Sequence, residues 1–296
     1  MNIKFILTSL VIFISTLLVL VYWFYPIQRF NPSENSNFSI SNTSKVQFYP
    51  NLRFQSSDIS FHIFDCSIQK TDQIKKAFEI LENKTMLNFY STENSEEISV
   101  YCSEEDKIQG GLFIAGEGGP VKITQAGNFN LISNSIVLLI RNSNCYNPNV
   151  AIHEILHALG FTHSENENNI MYNFTNCNQN LGDDIPEKIA QLYSEKSLPD
   201  LEFETASFST QGDLLSLDFL VRNNGLKDSK NFNLKISADL KEIKIVPIEA
   251  LEIGTGMGAS LENLKIDKNF KELILEINYP SEEISKTNNI LVLKNE

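Results

Sequence analysis

Positive charge is in short supply along this chain. Against 37 Asp and Glu stand 24 Lys and Arg, which leaves a formal net charge of −13 at pH 7. Nucleic-acid phosphates demand a basic patch, so this balance excludes nucleic acid as the expected partner. Histidine and cysteine are rarer still, with four of each in 296 residues. The cysteines form no C-x-x-C pair and no spacing suited to a metal knuckle, so any metal site must be built from other residues. Long apolar runs are also lacking, with one exception: the chain is uncharged and mostly apolar from Phe5 to Tyr25.

That run is about as long as the roughly 20 residues needed to cross a bilayer as a helix. The cluster Tyr22-Trp23-Phe24-Tyr25 suits an interfacial aromatic belt. A cleaved signal peptide is the competing reading, but its apolar core runs about 7–15 residues and ends at a small-x-small site, which is not evident here. The expectation is a short tail at 1–4, a transmembrane anchor at 5–25 and a flexible stalk at 26–45 rich in Asn and Ser. Lys4 and Arg29 flank the run and encode orientation only weakly, with the amino terminus placed in the cytoplasm and the bulk of the chain outside. Secretion after signal cleavage is the alternative.

What the chain does have is a concentration of its scarcest residue. Three of the four histidines fall in His153-Glu154-Ile155-Leu156-His157-Ala158-Leu159-Gly160-Phe161-Thr162-His163, with Met171 downstream. On a helix, His153 and His157 share a face and reach one metal ion while Glu154 lies beside them. Gly160 can end that helix in a left-handed turn that delivers His163 as a third ligand, leaving a fourth position for water. Such a site activates water for attack on a polarised carbonyl, with Glu154 as general base. A bare H-E-x-x-H arises often by chance, whereas the longer pattern is specific. The fourth histidine, His62, sits in the strand-like Ser60–Phe64 stretch and reads as structural or as a surface residue.

The pattern H-E-x-x-H-x-x-G-x-x-H with a downstream Met resembles the metzincin zinc peptidases, and Ser164 with the Met171-Tyr172 spacing resembles their matrixin branch. The resemblance is specific over residues 145–175 and architectural elsewhere. It implies one catalytic Zn2+, a protein or peptide substrate, and Met171 as the apolar floor beneath the ligands. Asn173 stands where some metzincins carry a tyrosine ligand, so none is assigned. Tyr172 and Phe174, with Ala115, are candidate substrate-pocket residues. The family also implies a sheet edge strand that pairs with substrate, for which Gly111–Ala115 is the candidate, an ordinary sheet strand being the alternative. No cysteine precedes Cys66 in the sequence, so latency by a zinc-capping cysteine is not expected. Neither is a second, structural zinc.

The fold expected is an α+β metzincin-like catalytic domain over 46–197, a mixed twisted sheet plus helices, followed by an all-β immunoglobulin-like sandwich over 198–296. In the first part, Ile74, Ala77, Phe78 and Leu81 predict a helix over 71–83. Strands are expected at 86–90, 98–102, 111–115 and 136–140, and a closing helix at 184–193. The zinc helix is expected to be capped by Asn147, to carry Pro148 in its first turn and to bury Ile152, Leu156 and Leu159. Pairing Cys66 with Cys102 and Cys145 with Cys177 would staple the active-site segment. That is one of three connectivities, beside four reduced thiols, and disulfides would place the chain outside the cytoplasm.

From Pro199 onward, alternating segments at 201–209, 214–222, 231–239, 243–246, 273–279 and 290–293 predict strands of the sandwich. Val221-Arg222-Asn223-Asn224-Gly225 and Lys286-Thr287-Asn288-Asn289 resemble CARDB modules. With no His or Cys, this part reads as a spacer or as a docking unit for a cell-surface ligand. The functional expectation is a membrane-anchored, outward-facing zinc endopeptidase. The alternatives are an adhesion protein whose sandwich carries the function, and a zinc amidase acting on cell-wall peptides.

Overall fold

A computed structural model describes residues 46–295. The expected anchor and stalk lie outside those residues, and no helix among the described residues is long and apolar enough to cross a membrane.

The first half is a mixed sheet with helices. Its strands are β1 (Leu52–Phe54), β2 (Asp58–Phe64), β3 (Asn88–Ser91), β4 (Ile98–Cys102), β7 (Gly116–Ala126) and β8 (Phe129–Leu139). β3, β2, β4 and β8 lie side by side in that order and run parallel, β1 pairs with the first residues of β8, and β7 runs antiparallel to β8. Parallel strands are covered on both faces and therefore carry apolar side chains inward, here Ile59, Phe61, Ile98, Val100, Val137 and Leu139. Helix α1 (Ile68–Lys84) buries the expected Ile74, Ala77, Phe78 and Leu81 in the same core. It begins three residues earlier than the apolar spacing predicts, because Ser67 caps it by accepting from the Lys70 N–H. Helices α2 (Asn149–Ala158) and α3 (Asp184–Tyr193) follow.

Two expectations need correction. Gly111–Ala115 is not the edge strand: Gly110 and Gly111 take φ of 60° and 80° and close a tight hairpin, which folds β6 (Leu112–Ile114) back on β5 (Lys107–Gln109) as a separate two-stranded ribbon. The edge strand is β7, whose Gly-Glu-Gly-Gly-Pro opening has little strand propensity, and whose Pro120 is tolerated because an edge strand needs no donor on its open side. Asn147 does not cap α2. Pro148 occupies the cap position without a side-chain bond, and the helix starts at Asn149. Ile152, Leu156 and Leu159 are buried as expected, and burial extends to every residue of α2 from Asn149 to Ala158, His153, Glu154 and His157 included.

Both bridges that would staple the active-site segment are formed, Cys66–Cys102 and Cys145–Cys177.

The C-terminal half is a sandwich of two antiparallel sheets. One has the order β13 (Gly256–Lys265), β10 (Leu214–Asn223), β9 (Leu201–Gln211), and the other β12 (Lys241–Ile248), β11 (Phe232–Ala238), β14 (Glu272–Asn278), β15 (Ile290–Lys294). Alternation places Leu215, Leu217, Phe219 and Val221 of β10 against Leu234, Ile236, Leu273, Leu275 and Ile277. Within the sandwich, β13 is the strand the sequence reading misses, because Gly256, Gly258 and Ala259 give it little apolar contrast. A small cluster of Ala126, Leu131 and Leu226, with Phe129, Ile253 and Ile284 against it, packs the β7–β8 turn onto the sandwich. The connection at Leu198 and Pro199 is itself hydrogen-bonded, its carbonyls accepting from Leu226 and Ile284.

Candidate metal and catalytic centre

Helix α2 is held from both ends. At its start, the Cys145–Cys177 bridge and the Asn149 side chain, which donates to the Asn176 carbonyl at 2.7 Å, tie it to the loop beyond Met171. At its end, the Ser135 hydroxyl donates to the Ala158 carbonyl at 2.6 Å. Gly160 then takes a φ of 96°, a left-handed turn that only glycine adopts without strain, and its N–H donates to the His157 carbonyl. A Cβ there would sit 2.5 Å from Leu52 Cδ2. The turn is fixed from outside by a short bridge in which Phe48 N–H donates to the Gly160 carbonyl and Thr162 N–H to that of Val46. It leads directly to His163.

The three imidazoles converge. His153, His157 and His163 each offer a nitrogen, and these lie within 4.8 Å of one another. The Nε2 atoms of His157 and His163 are 3.1 Å apart. That is close to the edge of roughly 3.3 Å of a tetrahedron with metal–nitrogen bonds of about 2.0–2.1 Å. The other ring nitrogens are occupied: His153 Nδ1 lies 2.7 Å from the Ile170 carbonyl and His157 Nδ1 2.7 Å from that of Phe161. A carbonyl accepts only, so Nδ1 carries the proton and Nε2 keeps its lone pair. Burial holds the His153 pKa down to about 4 and that of His157 to about 3, and it lowers His163 as well. Neutral, pre-oriented imidazoles are what zinc requires, so the donor set fits the metal.

Glu154 is buried beside them. Burial, with the nearby Glu117 adding to it, pushes its pKa up to about 8. Its helix lies directly on the edge strand: a Cβ at Gly116 would come within 2.6 Å of Glu154 Cγ, and one at Gly118 within 2.2 Å of the Glu154 carbonyl oxygen.

Met171 is buried in a turn wired to two of the histidines. Its carbonyl accepts from Ser164, next to His163, while the preceding Ile170 carbonyl accepts from His153. The Asn169 side chain sets this turn, accepting from the Met171 N–H at 2.9 Å and donating to the Asp184 carboxylate of α3 at 3.2 Å. Asn169 and Asp184 were not among the residues singled out in the sequence. An Asn two residues before the Met was the available signal. The pocket candidates are dispersed. Tyr172 and Phe174 stand 6.0 Å apart with Phe174 exposed, while Ala115 lies at the head of β7 with its carbonyl already accepting from Ile140 and Arg141. His62 is not part of the cluster: its Nδ1 is 2.6 Å from the Thr92 carbonyl, and its ring packs edge-on against Phe64.

Residues 53–194 match the sequence model of the matrixin peptidases, a span holding all three histidines, Glu154 and Met171. These residues form a matrixin-like domain. A 101-residue stretch of the chain is 33% identical to zinc metalloproteinase nas-22 of Caenorhabditis elegans, covering 34% of this chain and 22% of that protein. Among solved structures, myroilysin is similar at 11% identity over 50% of this chain and 82% of its own, with a TM-score of 0.31. The CARDB domain of a Pyrococcus furiosus protein is similar at 13% identity over 33% of this chain and 86% of its own, with a TM-score of 0.29. The matrixin-like domain is thus followed by a sandwich outside the matched span.

Proposed function

We propose that the chain is a zinc-dependent endopeptidase, held at a membrane by residues 5–25 with its catalytic domain outside the cytoplasm. The observation that carries the reading is the convergence of three neutral imidazoles, two of them fixed through Nδ1 by backbone carbonyls, beside a buried carboxyl. His153, His157 and His163 would hold one zinc ion through their free nitrogens. When bound, zinc polarises a scissile carbonyl and makes water a nucleophile near neutral pH.

Glu154 is the group of this chain that moves the proton. Its carboxylate takes the proton of the attacking water and passes it to the leaving amide nitrogen, the two halves of general base and general acid work. Among the described residues β7 pairs with β8 alone, so its open edge supplies backbone donors and acceptors along which a peptide can lie as an added strand. Met171 closes the floor beneath the histidines, and Tyr172 and Phe174 flank the way in. Two disulfides support the extracytoplasmic placement. The sandwich, with no His or Cys, serves as a CARDB-like docking unit for a cell-surface ligand.

The test is zinc content and cleavage of a mixed peptide library by the full chain and by Glu154→Gln. About one zinc per chain in both, with activity at least 10²–10⁴-fold lower in the variant, is expected from loss of the base. Turnover retained in Glu154→Gln sinks the assigned mechanism, and absence of zinc shifts the function to the sandwich.

A further inference from the structure

The ribbon β5–β6 carries bulky apolar side chains that the fold does not use. Ile108 is 62% exposed, Leu112 53% and Phe113 54%. None of the three enters a hydrophobic cluster. Ile108 and Phe113 are cross-strand partners and share one face of the ribbon as an apolar pair, while Leu112, next to Phe113 along the strand, lies on the other face. A two-stranded ribbon this short is marginal on its own. Here it is held at its base: Cys102 is bridged to Cys66, and buried Lys70 donates to the Ser103 carbonyl and to Glu104. Its charges are neutralised in pairs, Lys107 with Glu117 and Arg141 with Asp106, while the Arg141 guanidinium lies 3.8 Å over the Phe113 ring. What remains for a partner is apolar contact.

The position of the ribbon names the partner. β6 ends at Ile114 and β7 begins at Gly116, the residue against the Glu154 side chain. A chain laid along the open edge of β7 therefore passes the ribbon as it reaches the base. We infer that Ile108 and Phe113 are specificity-determining residues, which select substrates with bulky apolar side chains on the segment flanking the scissile bond at the head of β7. The inference rests on the peptidase reading of the same site.

The experiment compares the zinc-loaded full chain with the double variant Ile108→Ser, Phe113→Ser and with the apolar variant Ile108→Leu, Phe113→Leu, on a peptide library varied at every position around the cleaved bond. In the wild type, one or two positions should favour bulky apolar residues over Ser. The Ser variant should lose roughly ten- to hundredfold in kcat/KM on those peptides, through KM, and change little on short peptides that do not reach the ribbon. The Leu variant should keep the preference, which separates apolar contact from damage to the fold. An unchanged side-chain profile in the Ser variant, with the wild type active, overturns the inference and leaves the peptidase reading standing. If that variant instead converts a dimer to a monomer in sedimentation, the ribbon is an interface between copies. A zinc-loaded wild type that cleaves no peptide overturns both.

Discussion

Gly118 lies on the main chain of Glu154. A Cβ at position 118 would approach the Glu154 carbonyl oxygen to 2.2 Å and its Cα to 3.1 Å, so strand β7 and helix α2 meet backbone to backbone. Gly116 makes the equivalent approach to the Glu154 side chain. The low strand propensity of the Gly116–Pro120 segment is the cost of bringing an open strand edge and the buried Glu154 carboxyl into one place.

Gly118→Ala should therefore be among the most damaging small substitutions in the chain. The atoms met are backbone and cannot swing aside, and overpacking of this kind costs about 1–3 kcal/mol or more. Thermal unfolding should fall by several degrees and peptide cleavage by more than tenfold. Gly119, with nothing within 4 Å of an added Cβ, provides the control. Gly119→Ala should match the wild type, and an equal effect at both positions would refute the close-contact account.

Acid and alkali should destabilise the metal-free chain for different reasons. His153 is held down to about 4 and His157 to about 3, mainly by burial, so below the ordinary value near 6.5 the unfolded chain binds protons that the folded chain refuses. Stability present at neutral pH is then lost as pH falls from about 6.5 toward 4, at up to about 1.4 kcal/mol per pH unit for each histidine. Glu154, pushed up to about 8 by burial, has the opposite sign. Its contribution is full below the ordinary carboxylate value and is lost as pH rises toward 8. Two histidines outweigh one carboxyl below 6.5, so chelator-treated protein should be most stable near pH 6.5. In Glu154→Gln the decline above that pH should disappear while the acid limb remains. Melting temperatures across pH 4.5–8.5 decide it.

The legible part of the site was the part carried by spacing. His153, His157 and His163 are placed by one helix and one glycine turn, which are local features that eleven residues encode. The helices at 71–83 and 184–193 were legible for the same reason, since apolar periodicity survives in α1 and α3. What escaped depends on contacts distant in sequence. The edge strand was misplaced because Gly110 and Gly111 turn a plausible strand into a ribbon, and because β7 is stabilised by pairing with β8 and by packing on α2 rather than by its own residues. Asn169 and Asp184 act through a bond between two segments that no short motif spans.

The two disulfides should differ in what they protect. Their sequence separations are similar, 36 for Cys66–Cys102 and 32 for Cys145–Cys177, so the chain-entropy estimate for each is about 3–4 kcal/mol. The second ties the start of α2 to the loop beyond Met171, the turn that orients His153. Cys145→Ala with Cys177→Ala should lower both melting temperature and zinc affinity. Cys66→Ala with Cys102→Ala should lower the melting temperature with less effect on zinc. Competition with a chromophoric chelator measures the difference, and identical zinc affinities in the two double variants would remove the Met171 loop from any role in ligand orientation.

The Asn223-Asn224-Gly225 turn of the sandwich should act on stability rather than on ligand recognition. Asn223 is fully buried, and its amide makes four bonds. Its oxygen accepts from the N–H groups of Asp200 and Gly225 at 3.2 and 3.1 Å, and its nitrogen donates to the carbonyls of Lys227 and Leu251 at 2.8 and 3.0 Å. Asn223→Ala leaves the N–H groups of Asp200 and Gly225 without their acceptor, while the Leu251 carbonyl keeps its bond from Ser229, so a loss of about 2–3 kcal/mol is expected at about 1–3 kcal/mol for each unmade buried bond. Asn223→Asp should be no better, because a carboxylate keeps the two accepted bonds but turns oxygen toward two carbonyls and buries a charge. Asn224, whose half-buried amide donates to the Glu202 carboxylate, should tolerate Ala far better. Calorimetry of the three variants separates the possibilities: a wild-type melting temperature in Asn223→Ala would mean that the buried amide is kept for something other than holding the turn together.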